Sequence, residues 1–89
     1  MKRVSDPEFT EVLEVDARGL YCPLPVLRLA AALRARPPRA RARLLATDPE
    51  AVPDVDSYCR ETGAKLLSRR EESGVFLFEI EKAPIGDKG

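Results

Sequence analysis

At Cys22-Pro23-Leu24-Pro25 the apolar pattern of this chain changes period, and the two prolines dictate where a helix can begin. Downstream, Val26, Leu29, Ala30 and Leu33 recur at i, i+3, i+4 and i+7, which is one face of a helix. Proline lacks an N–H and clashes with the preceding turn, so neither proline fits a helix interior. Both fit a first turn, whose N–H groups have no intrahelical acceptor in any case. The helix is predicted to place Pro23 at its first position and Cys22 at the N-cap or just outside. It should run to about Ala35, where Arg36-Pro37-Pro38-Arg39 stops it.

The flanking segments have a different period. Val12, Leu13 and Val15 make residues 9–16 a β-prone run ending at a turn that carries Gly19, and residues 42–47 read as a second strand. Asp48-Pro49 is a helix-start signal, with Asp as cap and Pro at the first helical position. Pro53 would cost about 3 kcal/mol deeper in that helix, so the regular part is predicted to start near Pro53 after one irregular turn. Val52, Val55, Cys59 and Thr62 form its apolar stripe, and Gly63 its stop. Residues 64–71 and 75–81 flank Glu72-Ser73-Gly74 as an antiparallel hairpin, with Gly74 at positive φ. The order is βαβαββ. It predicts an α/β fold, a two-layer α/β sandwich with a mixed four-stranded sheet, a right-handed first crossover and both helices on one face. Residues 1–9 are expected to be an N-terminal extension, 10–82 the domain and 83–89 a flexible C-terminal tail.

Eighty-nine residues fit one domain, able to bury roughly 60–65% of its unfolded surface without a disulfide or structural metal. Fifteen Lys and Arg balance fifteen Asp and Glu, which gives no support to direct nucleic-acid binding or to membrane association. No secretory signal or run of about 20 apolar residues is visible, so the expectation is a soluble, cytoplasmic protein. Two well-separated cysteines and no histidine supply neither a C-x-x-C pair nor a zinc set. No metal and no cofactor are expected.

Cys22 is the candidate reactive group. The N–H groups and positive dipole end of the helix are expected to favour its thiolate, with Arg18 on the preceding turn adding positive charge, and a thiolate is what nucleophilic sulfur chemistry requires. The alternative is an inert small apolar residue at a helix start. Against it, cysteine is a poor cap and the paired prolines make a rigid frame. Cys59, mid-helix on the apolar stripe, reads as core filler.

Asp16, Arg18-Gly19 and Cys22-Pro23-Leu24-Pro25 resemble the D-x-R-G-x-x-C-P-x-P signature of the TusA/SirA family of small sulfur carriers. Asp48-Pro49, Asp54 and Cys59 are similar to that family's D-P…D…C segment, and βαβαββ is its fold. The resemblance covers residues 10–82. It implies that Cys22 carries sulfur as a persulfide, received from a cysteine desulfurase or rhodanese-type donor and passed to an acceptor protein. Transfer RNA thiolation, molybdenum-cofactor maturation and sulfur oxidation are the pathways it allows. Such a protein is a sulfur-transfer carrier rather than a self-sufficient enzyme.

The remaining candidates have two readings each. Asp16 and Arg18 either form an ion pair that fixes the turn, or Arg18 faces the persulfide. Gly19 permits a backbone geometry closed to other residues. Asp48 is explained as a cap and Asp54 as first-turn charge, and either can line a partner-docking edge. Residues 34–43 depart from the Gly-containing turn usual in the family; Arg36 and Arg39 there are either solvated surface or a docking patch. Two other function classes are open: a thiol redox regulator using Cys22 and Cys59, and a non-catalytic regulatory or nucleic-acid-binding module using the arginines.

Overall fold

The computed structural model describes residues 12–83. The expected extension, residues 1–9, and the tail beyond Ala83 lie outside the described residues. Six elements follow in the order β1 (Val12–Ala17), α1 (Leu24–Arg34), β2 (Arg41–Ala46), α2 (Ala51–Thr62), β3 (Lys65–Glu72) and β4 (Val75–Glu81). The sheet order is β1-β2-β4-β3. β1 and β2 are parallel, from Val12 opposite Arg41 to Ala17 opposite Ala46, and the other two pairs are antiparallel. This is the predicted α/β fold with a mixed four-stranded sheet.

Alternation decides which face is covered. Val15 and Ala17 of β1, Ala42, Leu44 and Ala46 of β2, and Phe78 and Ile80 of β4 point into one cluster with Leu29 and Leu33 of α1 and Val55 of α2. The helices touch one another as well as this face. Three of the strand residues there are alanines without solvent exposure among the neighbouring parallel strands, so the helix backbones can approach the sheet closely. On the opposite face, where Leu45 pairs with Leu77, the Arg43 guanidinium meets Glu79 at 3.2 Å across the β2–β4 ladder.

Both helix starts differ in detail from expectation. Pro23 is the N-cap of α1 rather than its first residue, and Pro25 is the second helical residue and buried. α2 begins at Ala51, not near Pro53, and Glu50 rather than Asp48 is its N-cap. The reason is a turn that Asp48 closes from two atoms: its carbonyl accepts from Ala51 N–H at 2.9 Å and its carboxylate from Glu50 N–H at 3.1 Å. Pro53 is then the third helical residue, where a missing N–H leaves no acceptor unsatisfied.

The helix ends are held by different means. Gly63 adopts φ +84° and its N–H reaches Cys59 O at 3.0 Å. Thr62 lies off the buried stripe and is exposed; its hydroxyl donates to Tyr58 O at 2.7 Å. At the end of α1 a residue from the far end of the chain intervenes, as Lys82 Nζ donates to Leu33 O at 2.9 Å and Arg36 O at 2.6 Å. Residues 37–40 make a turn with Arg39 at φ 71°, a left-handed conformation usually given to glycine. The β3–β4 hairpin turns through Ser73 and Gly74, both at positive φ, as a two-residue loop matching strand twist requires.

Candidate functional site

Because β1 and β2 are parallel neighbours in register, the chain leaves both at the same edge of the sheet, and both helices begin there. The two connections run side by side. Gly19 N–H donates to Thr47 Oγ1 at 2.9 Å, and Cys22 N–H to Asp48 Oδ2 at 2.8 Å. Gly19 stands at φ +83° with open space where a Cβ would project, so its requirement is conformational rather than steric. Arg18 turns back onto Asp16: its Nε reaches Oδ1 at 2.9 Å, its Nη2 reaches Oδ2 at 2.7 Å, and its backbone N–H also reaches Oδ1, at 3.1 Å. The guanidinium holds the Asp16 carboxyl down at about 2. The ion pair fixes the turn, and Arg18 has its fork filled.

Cys22 is partly buried, with a cis peptide to Pro23, and its thiol donates a hydrogen bond to Asp54 Oδ2. That bond, with desolvation and the negative charges of Asp54, Asp48 and Glu50, pushes the thiol up to about 11. This corrects the expectation that the helix start favours a thiolate. The prolines that stiffen the frame also remove two N–H donors, and Leu24 N–H is taken by Tyr21 O at 2.9 Å. With Arg18 committed to Asp16, the charges around the sulfur are carboxylates from the second helix and the turn before it.

Three large side chains on the segment that carries Cys22 stand exposed: Tyr21 at 76%, Leu24 at 46% and Leu27 at 56%. Asp54 meets the sulfur, and Asp48 holds the Cys22 backbone N–H beside it. Arg36 and Arg39 do neither: they follow the far end of α1, an 11-residue helix about 16 Å long. Cys59 is a free thiol packed partly against the core, raised by burial and secondarily by Asp56.

The sequence reads Asp48 as a cap, a place Glu50 takes instead, and Asp54 as first-turn charge, which it is; neither role is what brings them to Cys22. Asp48 accepts from its backbone and Asp54 from its sulfur. The available signal was topological. A parallel first crossover sends the start of the second helix to the same sheet edge as the first, which is where ligands and reacting groups collect in such folds. Thr47 and the exposed Tyr21, Leu24 and Leu27 had no distinguishing pattern in the sequence.

The arrangement presents one thiol at an open edge, with a proton acceptor in contact and large exposed side chains on the same segment. Once deprotonated, such a sulfur can attack an electrophilic atom and hold the product where another protein can reach it. Residues 13–82 match the family described as Sulfurtransferase TusA. A protein of Allochromatium vinosum named Sulfur carrier protein TusA is 43% identical over 70 residues, covering 79% of this chain and 92% of its own. Proteins of the same name from Pseudomonas syringae pv. tomato and Pseudomonas putida are 37% and 36% identical, covering 76% and 84% of this chain and 81% and 94% of their own.

Proposed function

Since the chain belongs to the TusA family, we propose that it is a sulfur carrier in which Cys22 accepts sulfane sulfur as a persulfide and relays it to another protein. The observation that carries this reading is the placement of the Cys22 thiol just ahead of a helix at the shared edge of the parallel strands, on a segment that also exposes Tyr21, Leu24 and Leu27. In acceptance, Cys22 sulfur attacks the outer sulfur of a donor cysteine persulfide. A new S–S bond forms, the donor's S–S bond breaks, and the donor sulfur leaves with the electron pair and is protonated. Delivery is the same exchange with an acceptor thiol, so no external oxidant is consumed.

The donor of this reading is a cysteine desulfurase or rhodanese-type protein, and the carrier domain is residues 10–82. Asp16, Arg18 and Gly19 support Cys22 by fixing the turn that leads to it, and Pro23 and Pro25 by restricting its frame. Asp48 fixes its backbone. A donor covering Tyr21, Leu24 and Leu27 would exclude water from the exchange. Arg36 and Arg39 would join only a partner that spans the length of α1. Between turnovers Cys22 and the acceptor cysteine must be free thiols, the state a reducing compartment maintains, which supports the cytoplasm. No helix among the described residues is long and apolar enough to cross a membrane.

The test is to incubate the reduced protein with a desulfurase and cysteine, or a rhodanese and thiosulfate, and measure intact mass without reductant. The expected gain is one sulfur atom, removed by dithiothreitol and mapped to Cys22. Cys22→Ser should abolish it and Cys59→Ser retain it. Loading of Cys59 to an equal extent would refute the assignment.

A further inference from the structure

We propose that Asp54 is a catalytic residue of sulfur acceptance, holding Cys22 as a thiol in the free carrier and taking its proton as the sulfur attacks a donor persulfide. The proposal rests on the carrier reading above.

The geometry singles out one carboxylate among three. Asp48, Glu50 and Asp54 all act on the sulfur electrostatically, and each is negative. Asp48 is already engaged, its Oδ2 by Cys22 N–H and its Oδ1 by Glu50 N–H. Glu50 is exposed. Asp54 alone meets the sulfur, through Oδ2. It is the fourth residue of α2, with its N–H bonded to Glu50 O at 3.3 Å, and Ala51 at the start of the helix and Val55 next to it are fully buried. Its backbone is therefore fixed by the core, and the acceptor position is built rather than incidental.

This placement has opposite effects on the resting and reacting states. In the free protein the carboxylates hold the thiol at about 11, so roughly one molecule in ten thousand is thiolate at neutral pH. The resting carrier is accordingly a poor nucleophile toward small electrophiles. When a persulfide donor places its outer sulfur against Cys22, the S–H bond breaks toward Asp54 as the new S–S bond forms. The departing donor thiolate then takes up a proton, from Asp54 or from water, and Asp54 returns to carboxylate. Donor persulfide plus carrier thiol becomes donor thiol plus carrier persulfide, and protons balance. Proton transfer by a positioned group of this kind contributes about 10²–10⁴-fold in known cases.

Two rates distinguish this from a structural role. In Asp54→Asn, persulfide formation from a desulfurase and cysteine should fall at least tenfold at pH 7.5, read as initial rate by intact mass. Alkylation of Cys22 by iodoacetamide should instead rise about tenfold at pH 8, because the acceptor and its charge are gone. In Asp54→Ala, added formate should restore part of the acceptance rate. If both rates rise, Asp54 merely restrains the thiol; if both fall, or neither moves, or formate has no effect, the proposal is wrong. Should the Asn variant fail to fold by circular dichroism, Asp54→Ser takes its place. A wild-type alkylation profile centred below pH 9 would overturn the proposal without any variant. Wild type that gains no sulfur sinks the carrier reading as well, whereas loading indifferent to Asp54→Asn sinks this proposal alone.

Discussion

The Cys22 thiol, just ahead of α1, donates its hydrogen bond to the carboxylate of Asp54, in the first turn of α2. The charge state of the nucleophile is thus governed by the neighbouring helix and not by its own. The helix that Cys22 precedes lacks donors at both prolines, while the one it faces supplies a negative acceptor.

The first consequence concerns pH. Alkylation of Cys22 is expected to be slow at pH 7 and to climb about tenfold per pH unit until it levels near pH 11. The folded value lies above the ordinary 9.0, so the stability contributed by this site is complete below pH 9 and lost as pH rises through about 11. Urea midpoints of wild type and Cys22→Ala should therefore converge between pH 9 and pH 11. A pH-independent gap between them would show that the thiol proton is not involved.

Asp16 supplies the opposite sign. Arg18 holds its carboxyl down at about 2, so the ion pair contributes above the ordinary 3.8 and is lost as pH falls through about 2. A carboxyl-carbon titration by nuclear magnetic resonance should place the Asp16 midpoint near 2 in the folded protein. Arg18→Gln should return it toward the ordinary value; an unchanged midpoint would mean that another group holds it.

Arg39 occupies a left-handed position at φ 71° in the turn before β2. That conformation costs a side-chain-bearing residue about 1–2 kcal/mol, against about 0.5–1 kcal/mol for the greater unfolded freedom of glycine. Arg39→Gly is expected to stabilise by about 0.5 kcal/mol, raising the thermal midpoint by about 2–4 °C. A lower midpoint would show that the arginine side chain contributes more than its backbone costs.

Lys82 closes the last turn of α1 from outside it, donating to Leu33 O and Arg36 O. Lys82→Met keeps the aliphatic stem and removes the charged donor, and should destabilise by about 1–2 kcal/mol. Amide exchange at the C-terminal turn of α1 should accelerate while that of β4 follows only the global change. Uniform acceleration would indicate that the lysine acts on the whole fold and not on the helix end.

Much of this molecule is written locally. The start of α1 to within one residue of Pro23, the stop of α2 at Gly63 and the turn at Gly74 follow from a missing N–H and a missing Cβ, which are properties of single residues. The period of the apolar pattern is likewise read within one segment, and it yields the βαβαββ order. The start of α2 was misplaced because a turn closed by Asp48 moved Pro53 into the first helical turn, where its defect has no effect. What only tertiary structure decided is the chemistry at Cys22. Asp54 lies 32 residues away along the chain and reaches the sulfur because β1 and β2 pair in parallel and deliver both helix starts to one edge. A charge acts through space on whatever lies near it, so the three carboxylates reverse the sign that the local helix start implied.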